Sequence, residues 1–193
     1  VRRLGSLDTP GDAADVAVAG DQLFVADRGS GLRVLDVSDP ARPRELANIA
    51  TGGAAESLAV VGHHVYVAAR EAGLLVFDAA DPSAPVAAGA VDVGGSAWDV
   101  TVSLGKAYVA GVGNYTADPL DRYHHIWGVD SADIESSGLS AVTVIDVSEP
   151  EAPRVLGRHT SPSFIESMER RGRLAYLVDG QAVAQIDLDD QMT

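Results

Sequence analysis

The sequence predicts an all-β fold, a β-propeller of about four blades in which each blade is a four-stranded antiparallel sheet. Three observations lead to this prediction. A nine-residue motif occurs three times, at Leu32–Pro40, Leu74–Pro82 and Val142–Pro150. The segments around it are short and apolar, with no sustained helical period, and the connections between them are rich in Gly and Pro. The spacing of the copies is the length expected for one blade.

The spacing between repeats gives a period and locates one insertion. The aspartate of the motif is Asp36, Asp78 and Asp146, so the steps are 42 and 68 residues. An aromatic residue at 24, 66, 108 and 176 follows the same frame, as does a second proline at 43, 85 and 153. One repeat therefore carries an insertion of about 26 residues, which we predict at 112–138.

The first repeat divides into four predicted strands, called a to d here. Gly-Asp-Gln between the first two favours a tight turn, which requires antiparallel neighbours and disfavours a parallel β-solenoid. Strands b and c are apolar at nearly every position, as expected when both sheet faces are covered by neighbouring blades. Pro40 and Pro43 separate strands c and d, because proline lacks the N–H of a ladder bond. The predicted strands are a (15–19), b (23–27), c (32–37) and d (44–50).

The repeats predict one domain over residues 1–193 and a way to close the ring. Residues 2–8 match strand d, since Leu4 lies 42 positions before Leu46, whereas the fourth repeat ends after strand c. We expect strand 2–8 to pair with Val183–Asp187 and remove the exposed sheet edges. The alternative is that the chain is part of a larger propeller. The predicted repeats are about 12–53, 54–95, 96–161 and 162–193.

These residues resemble a known family. The segment GLRVLDVSDP (Gly31–Pro40), with VAVAG and LFVAD before it, is similar to the LVIVD-repeat family of β-propellers. The resemblance covers about 4–188 outside the insertion. The fourth repeat departs from it, because Met168–Arg171 is polar where strand a is apolar elsewhere and the Asp-Pro turn is absent. The resemblance implies a bacterial extracellular or cell-surface protein without assigned chemistry.

The charge composition restricts the classes of partner that the chain can bind. The formal net charge is −14 and the pI is about 4.5, which argues against nucleic acids and anionic membrane surfaces and favours cations. We expect no nucleic-acid partner and no direct membrane insertion. The chain has no Cys, which excludes disulfides, Cys-ligated zinc and thiol catalysis.

The insertion is the candidate binding segment. It replaces the b–c loop of the third repeat, so it lies on the propeller face that carries the b–c and d–a connections. Aromatic and adaptable polar side chains suit contact with a protein, peptide or carbohydrate partner. The alternative is a lid whose aromatic residues pack on the blades. The predicted partner-binding residues are Tyr115, Tyr123, His124, His125 and Trp127.

A second candidate site is a set of carboxylates near the start of each strand a. In a closed ring these carboxylates would lie close together at the channel mouth. Repulsion between like charges then raises the pKa of the carboxyl groups, unless a bound cation neutralises them. Calcium, the possible cofactor, prefers such oxygen ligands. The alternative is that each carboxylate accepts bonds from backbone amides of its own turn. The predicted ligands are Asp15, Glu56, Asp99 and Glu166.

Asp121, His124, His125 and Asp130 of the insertion are the candidate ligands of a transition metal, although their spacing matches no standard zinc pattern. His63 and His64 fall in an a–b turn on the opposite face and are expected to be solvated. The motif aspartates at 36, 78 and 146 are expected to hold backbone amides two residues further on.

No standard enzyme motif is present. The leading hypothesis is an exported or cell-surface propeller that binds a partner through the face carrying 112–138. One alternative is a metal-dependent, hydrolase-like enzyme that uses the insertion His and Asp residues with the channel-mouth carboxylates. Another is a purely structural repeat module of a larger surface protein.

Overall fold

The computed structural model describes residues 1–113, 139–161, 165, 167–172, 174–178 and 183–187. In these residues the chain forms fifteen β-strands, arranged in antiparallel sheets in which sequence neighbours pair. No helix in the described part of the chain has the length and apolar character needed to cross a bilayer.

The first two sheets repeat one pattern of four strands, each paired with the strand before it. Their inner strands a and b are joined by two-residue turns, as the sequence predicts. Blade one is β1 (Asp15–Ala19), β2 (Gln22–Ala26), β3 (Leu32–Asp36) and β4 (Arg44–Ile49). Blade two is β5 (Ser57–Val61), β6 (His64–Ala68), β7 (Leu74–Asp78) and β8 (Val86–Val91).

The third sheet has the same order but longer strands, each of eight residues. Its strands extend on the side where the insertion leaves. The fourth sheet has three described strands. Blade three is β9 (Ser96–Ser103), β10 (Lys106–Gly113), β11 (Leu139–Asp146) and β12 (Arg154–Ser161), and blade four contains β13 (Ser167–Arg171), β14 (Leu174–Val178) and β15 (Val183–Asp187).

The core lies between adjacent blades. The repeated aromatic of strand b fills it, with Phe24, Tyr66 and Tyr108 only 2%, 3% and 1% exposed. One apolar cluster joins blades one and two and a second joins blades two and three. This packing explains why strands b and c are apolar on both faces, and it matches a radial arrangement of sheets in which the innermost strands β1, β5, β9 and β13 contact one another in succession.

The repeats also share a backbone irregularity. The pairing of strand c with strand d shifts register after Val34, Val76 and Val144, which are equivalent positions of three blades. The motif aspartates then hold the following turn. Their Oδ1 atoms accept the N–H of Ser38, Ala80 and Ser148 at 3.0, 2.8 and 3.0 Å.

Two faces follow from this antiparallel order. The loop face carries the b–c and d–a connections, among them residues 27–31, 50–56 and 69–73. The turn face carries the a–b and c–d turns, among them residues 20–21, 37–43, 62–63 and 79–85.

The N-terminal segment lies in no strand, so the predicted pairing of 2–8 with β15 is not observed. Its position nevertheless follows the repeat. Gly5 lies against the backbone of Pro40 and Ala41 in the c–d turn of blade one, and Gly89 of strand d in blade two lies against the equivalent turn of blade three. Gly5 and Gly89 are 84 residues apart, two repeat periods. Gly5 therefore has the same relation to a c–d turn as Gly89 of strand d, and ring closure stays a prediction.

Candidate interaction face

Two arginines with an unusual backbone conformation mark the loop face. Arg28 and Arg70 are 42 residues apart and follow strand b of blades one and two. Their φ angles are 35° and 43°, in the left-handed region that few residues other than Gly adopt. Each forms an antiparallel bridge to the next blade, Arg28 with Ala55 and Arg70 with Ala97. Contact between blades therefore holds these strained positions in place.

Glu56 lies between the two arginines. Its Oε2 accepts a hydrogen bond from Arg28 Nε at 3.0 Å, and its Oε1 accepts one from Arg70 Nε. The Glu56 side chain is 5% exposed, whereas those of Arg28 and Arg70 are 45% and 34% exposed. The hydrogen bond to Glu56 raises the pKa of Arg28 above its usual value, and Asp12 also pairs with that guanidinium. A buried carboxylate thus fixes two partly exposed cationic groups.

Trp98 continues the arrangement into blade three. The Arg70 Cζ atom lies 4.1 Å from the centroid of the half-buried Trp98 ring, a cation–π contact. Trp98 has the repeat position of Glu56, 42 residues further on. Arg70 therefore contacts the same repeat position in two blades, where it meets Glu56 in its own blade and Trp98 in the next. We call Arg28, Glu56, Arg70 and Trp98 the arginine array.

A second arrangement ties the innermost strands together near the same face. Asp15, Ser57 and Asp99 occur at 42-residue intervals near the start of strand a, and we call them the central ladder. Each accepts a backbone N–H from the following blade. The bonds are Leu58 N to Asp15 Oδ2 at 2.9 Å, Val100 N to Ser57 Oγ at 3.4 Å and Met168 N to Asp99 Oδ2 at 3.0 Å.

Ser57 also links the two aspartates. Its Oγ lies 3.0 Å from Asp15 Oδ2 and 2.9 Å from Asp99 Oδ1. A hydroxyl has one proton, so it donates to one carboxylate at a time. The central ladder thus holds two carboxylates within reach of one shared donor.

The structure places the predicted calcium ligands in different surroundings. Asp15 and Asp99 share Ser57, whereas Glu56 bonds the two arginines. Asp15 accepts the N–H of Val16 beside it at 2.8 Å as well as that of Leu58 in the next blade, whereas Asp99 accepts the N–H of Met168 in the next blade. Glu166 lies outside the described residues. Calcium binding by Asp15, Glu56, Asp99 and Glu166 stays a prediction.

A shallow groove opens beside the arginine array, at the joint between blades one and two. Its volume is about 400 Å³, and its walls come from the b–c connection of blade one and the d–a connection that follows. A Cβ added at Gly29 would meet no atom within 4 Å, so this wall is open. The lining residues are Gly29, Ser30, Asn48, Ala50, Thr51, Gly52 and Gly53.

Comparison with protein families identifies the repeat. A family model, the LVIVD repeat, matches three consecutive stretches at 10–51, 52–93 and 94–116, which is more than half of the chain. The chain belongs to the LVIVD-repeat family. This confirms the resemblance seen in the sequence. No curated protein matches the chain.

Solved structures similar to this LVIVD-repeat protein share its propeller fold. The computationally designed Ika4 protein is 10% identical with a TM-score of 0.69, and the match covers 97% of this chain and 99% of that one. A functionally unknown protein from Desulfotomaculum acetoxidans DSM 771 is 11% identical with a TM-score of 0.62, over 91% and 57%. The β-propeller domain of Cps50 (Swd1) from Myceliophteria thermophila is 13% identical with a TM-score of 0.60, over 95% and 54%. The LVIVD-repeat chain spans about half the length of the last two.

The insertion of the LVIVD-repeat protein leaves from the loop face. Strands β10 and β11 run three pairs beyond the level of Ala110 and Val142, ending with Gly113 opposite Leu139. The third blade therefore rises above its neighbours beside Trp98. The predicted partner-binding residues, and the alternative transition-metal ligands, lie outside the described residues and stay predictions. They are Tyr115, Tyr123, His124, His125 and Trp127, with Asp121 and Asp130 as the remaining metal candidates.

Sequence reasoning missed three members of the arginine array. The signal was present, because Arg28 and Arg70 stand at one repeat position and Trp98 replaces Glu56 at another. It also missed Ser57, which is the true equivalent of Asp15 and Asp99; Glu56 lies one position earlier.

Proposed function

We propose that this chain is an interaction module that binds a protein, peptide or carbohydrate partner through its loop face. The observation that carries the proposal is the arginine array, a row of paired charges ending in a Trp ring that crosses three blades on the face where the insertion leaves. Arg and Trp are the side chains most enriched among residues that dominate binding energies.

The array is held in place before any partner arrives. Glu56 is buried and bonds both guanidinium groups, so Arg28 and Arg70 lose little further side-chain freedom on binding. Both remain one third to one half exposed, and this exposed surface is what a partner can reach. The groove at Gly29 and the predicted aromatic residues of the insertion extend the same surface.

The proposal includes a bacterial extracellular or cell-surface location. Limited proteolysis of intact host cells, read with an antibody to the propeller, tests it. Proteolysis is preferable to amine labelling, because Lys106 is the single lysine of the chain. Loss of the signal from intact cells supports export, whereas protection until the cells are lysed contradicts it.

A screen followed by matched variants tests the binding proposal. The purified chain is screened against a displayed peptide library and a glycan array, and each hit is titrated against the variants by calorimetry. Trp98→Ala and Arg70→Ala are expected to weaken binding roughly tenfold or more. Gly29→Trp fills the groove, and Gly157→Trp is its control, since both glycines have open space and an ordinary φ.

A fourth variant isolates the insertion. Gly113 and Leu139 are direct partners, so an Asn-Gly dipeptide in place of 114–138 closes the hairpin with a two-residue turn. Weaker binding in this variant supports the proposal. Hits that bind every variant equally, or no hit in either screen, contradict it and favour the structural module. Hydrolysis of a hit that is lost on His124→Ala/His125→Ala would favour the enzyme instead.

A further inference from the structure

Three metal-ligating side chains converge on the turn face of blade two. His63 and His64 form the a–b turn and the start of β6, and Asp78 ends β7. Their ligand atoms all lie within 4.8 Å of one another, and His63 Nε2 is 3.9 Å from Asp78 Oδ1. The two imidazole rings are 4.2 Å apart between centroids. Within the described residues this is the one such group of three.

The backbone fixes this convergence. His64 and Asp78 are direct Cα partners in the β6–β7 ladder, so their side chains project from the same face of the sheet. The carbonyl of His63 accepts the N–H of Ala79 at 2.9 Å. The equivalent bonds in blades one and three, Val37 N to Asp21 O and Val147 N to Gly105 O, are both 2.8 Å. The turn that holds His63 is therefore a standard part of the blade.

Blades one and three show which side chains surround the motif aspartate when the histidines are absent. Asp36 Oδ2 accepts a hydrogen bond from Arg44 at 3.1 Å, and Asp146 Oδ2 accepts one from Arg154 at 3.1 Å. In blade two the arginine position holds Val86, which is 59% exposed.

The serine that supports the aspartate is also replaced in blade two. Ser148 donates both its N–H and its hydroxyl to Asp146, but the equivalent residue Ala80 can donate only its N–H to Asp78. Asp78 thus lacks both side-chain donors of its counterparts, and it has two histidines close to it instead.

We propose that His63, His64 and Asp78 bind a late first-row divalent metal ion such as Zn²⁺ or Ni²⁺. Two imidazoles and one carboxylate are a common ligand set for these ions. Tetrahedral Zn²⁺ places its ligands about 3.3 Å apart, so each pair of ligand atoms needs to close by at most about 1.5 Å, which side-chain rotation supplies. His63 is 55% exposed, so the ion keeps a position open to water or to a group of another molecule.

The ion supplies the positive charge that arginine supplies in blades one and three. The chain carries a net charge of −14, which favours cation binding further. The site is on the face opposite the arginine array, so a test of metal binding is independent of a test of the proposed loop-face function.

Zinc titration of purified chain tests the site. His124→Ala/His125→Ala serves as the background, because it removes the two histidines of the insertion and leaves His63, His64 and His159. This background is expected to bind one Zn²⁺ by equilibrium dialysis and calorimetry. His63→Ala and His64→Ala are each expected to weaken binding at least tenfold. Asp146→Asn, at the position of blade three that corresponds to Asp78, is the control and should leave the affinity unchanged.

Val86→Arg gives a second and more specific test. It restores the arginine of the other blades beside Asp78, so it is expected to weaken Zn²⁺ binding at least fivefold without removing any ligand. No Zn²⁺ bound to the background protein, or equal affinity in the His63, His64 and Val86 variants, would overturn the proposal. Circular dichroism of each variant confirms that the blades remain folded.

Discussion

The two faces of the propeller use the repeat in opposite ways. On the turn face, the motif aspartate of each of three blades accepts the N–H of the residue two positions further on. These aspartates are Asp36, Asp78 and Asp146. On the loop face, the position that holds Glu56 in blade two holds Trp98 in blade three. An identical residue at one repeat position holds the same turn in each blade, whereas a position that changes from Glu56 to Trp98 gives neighbouring blades different surfaces.

Blade two brings this contrast onto the turn face itself. It keeps the motif aspartate but replaces the arginine and serine around it with Val86 and Ala80, and it adds His63 and His64. Positions at which neighbouring blades differ therefore contribute to both proposals, Glu56 and Trp98 on the loop face and the histidine pair on the turn face.

The largest expected effect comes from a glycine of the loop face. Gly31, in the b–c turn of blade one, has φ +82°, and a Cβ there would overlap the carbonyl oxygen of Ile49. Gly31→Ala is expected to lower the free energy of unfolding by about 2–5 kcal/mol, from the left-handed φ and the overpacking together. Urea denaturation measures it.

Gly20 of the turn face is the matched control. Its φ is +61°, but a Cβ would meet no atom within 4 Å. Gly20→Ala is expected to cost about 1–2 kcal/mol, from the backbone conformation alone. Equal losses in the two variants would show that close packing does not distinguish these turns.

A smaller effect is expected from the central ladder. Asp99 joins Ser57 of blade two to the backbone N–H of Met168 in blade four. Asp99→Ala leaves that N–H without its acceptor and is expected to cost about 1–3 kcal/mol, measured by the same denaturation.

Asp92→Ala is the comparison, because Asp92 is exposed and accepts the N–H of Gly94 in its own turn at 2.7 Å. It is expected to cost no more than about 1 kcal/mol. A greater loss of stability in Asp92→Ala than in Asp99→Ala would contradict the inter-blade role of Asp99. The same variant also tests the predicted calcium site, which is supported if Ca²⁺ raises the melting temperature of the native chain but not that of Asp99→Ala.

The strands were predictable because each one repeats a local pattern. The bounds of strands a to d in blade one agree with the structure to within one residue, and the apolar character of strands b and c reflects burial between blades. The turn bonds of Asp36 and Asp146 were predictable for the same reason, since an aspartate can bond an amide two residues on without long-range information.

Contacts between blades were harder to predict. Glu56 and Asp15 look alike in the sequence, but a shift of one residue turns a strand side chain to the other face, so Glu56 meets arginines while Asp15 meets Ser57. The approach of Arg70 to Trp98 and of His64 to Asp78 likewise depends on distances that periodicity does not contain. The pairing of strand 2–8 with β15 was expected from the repeat, yet residues 2–8 form no strand, and Gly5 lies against the c–d turn of blade one.

The smallest expected effect is a pKa change that makes blade three resemble blade two. The Ser148 hydroxyl, then its N–H and Arg154, hold the pKa of Asp146 below its usual value. Ser148→Ala introduces the residue that blade two has at this position, Ala80, and is expected to raise the pKa of Asp146 toward the usual value of an aspartate. Titration of the side-chain carboxyl carbon by NMR measures this change.

The sign of the stability effect follows from the lowered pKa. Ionised Asp146 stabilises the native state above the unfolded pKa, and this contribution is lost as the pH falls through the lower folded pKa. Ser148→Ala therefore reduces the stability near neutral pH slightly and makes its loss in acid shallower. Asp36, whose pKa is lowered by Ser38 in the same way, is the internal control and should not move. An unchanged Asp146 pKa in the variant would mean that the repeated serine does not set the charge of the turn, and blade two would then differ from its neighbours only in its histidines and its missing arginine.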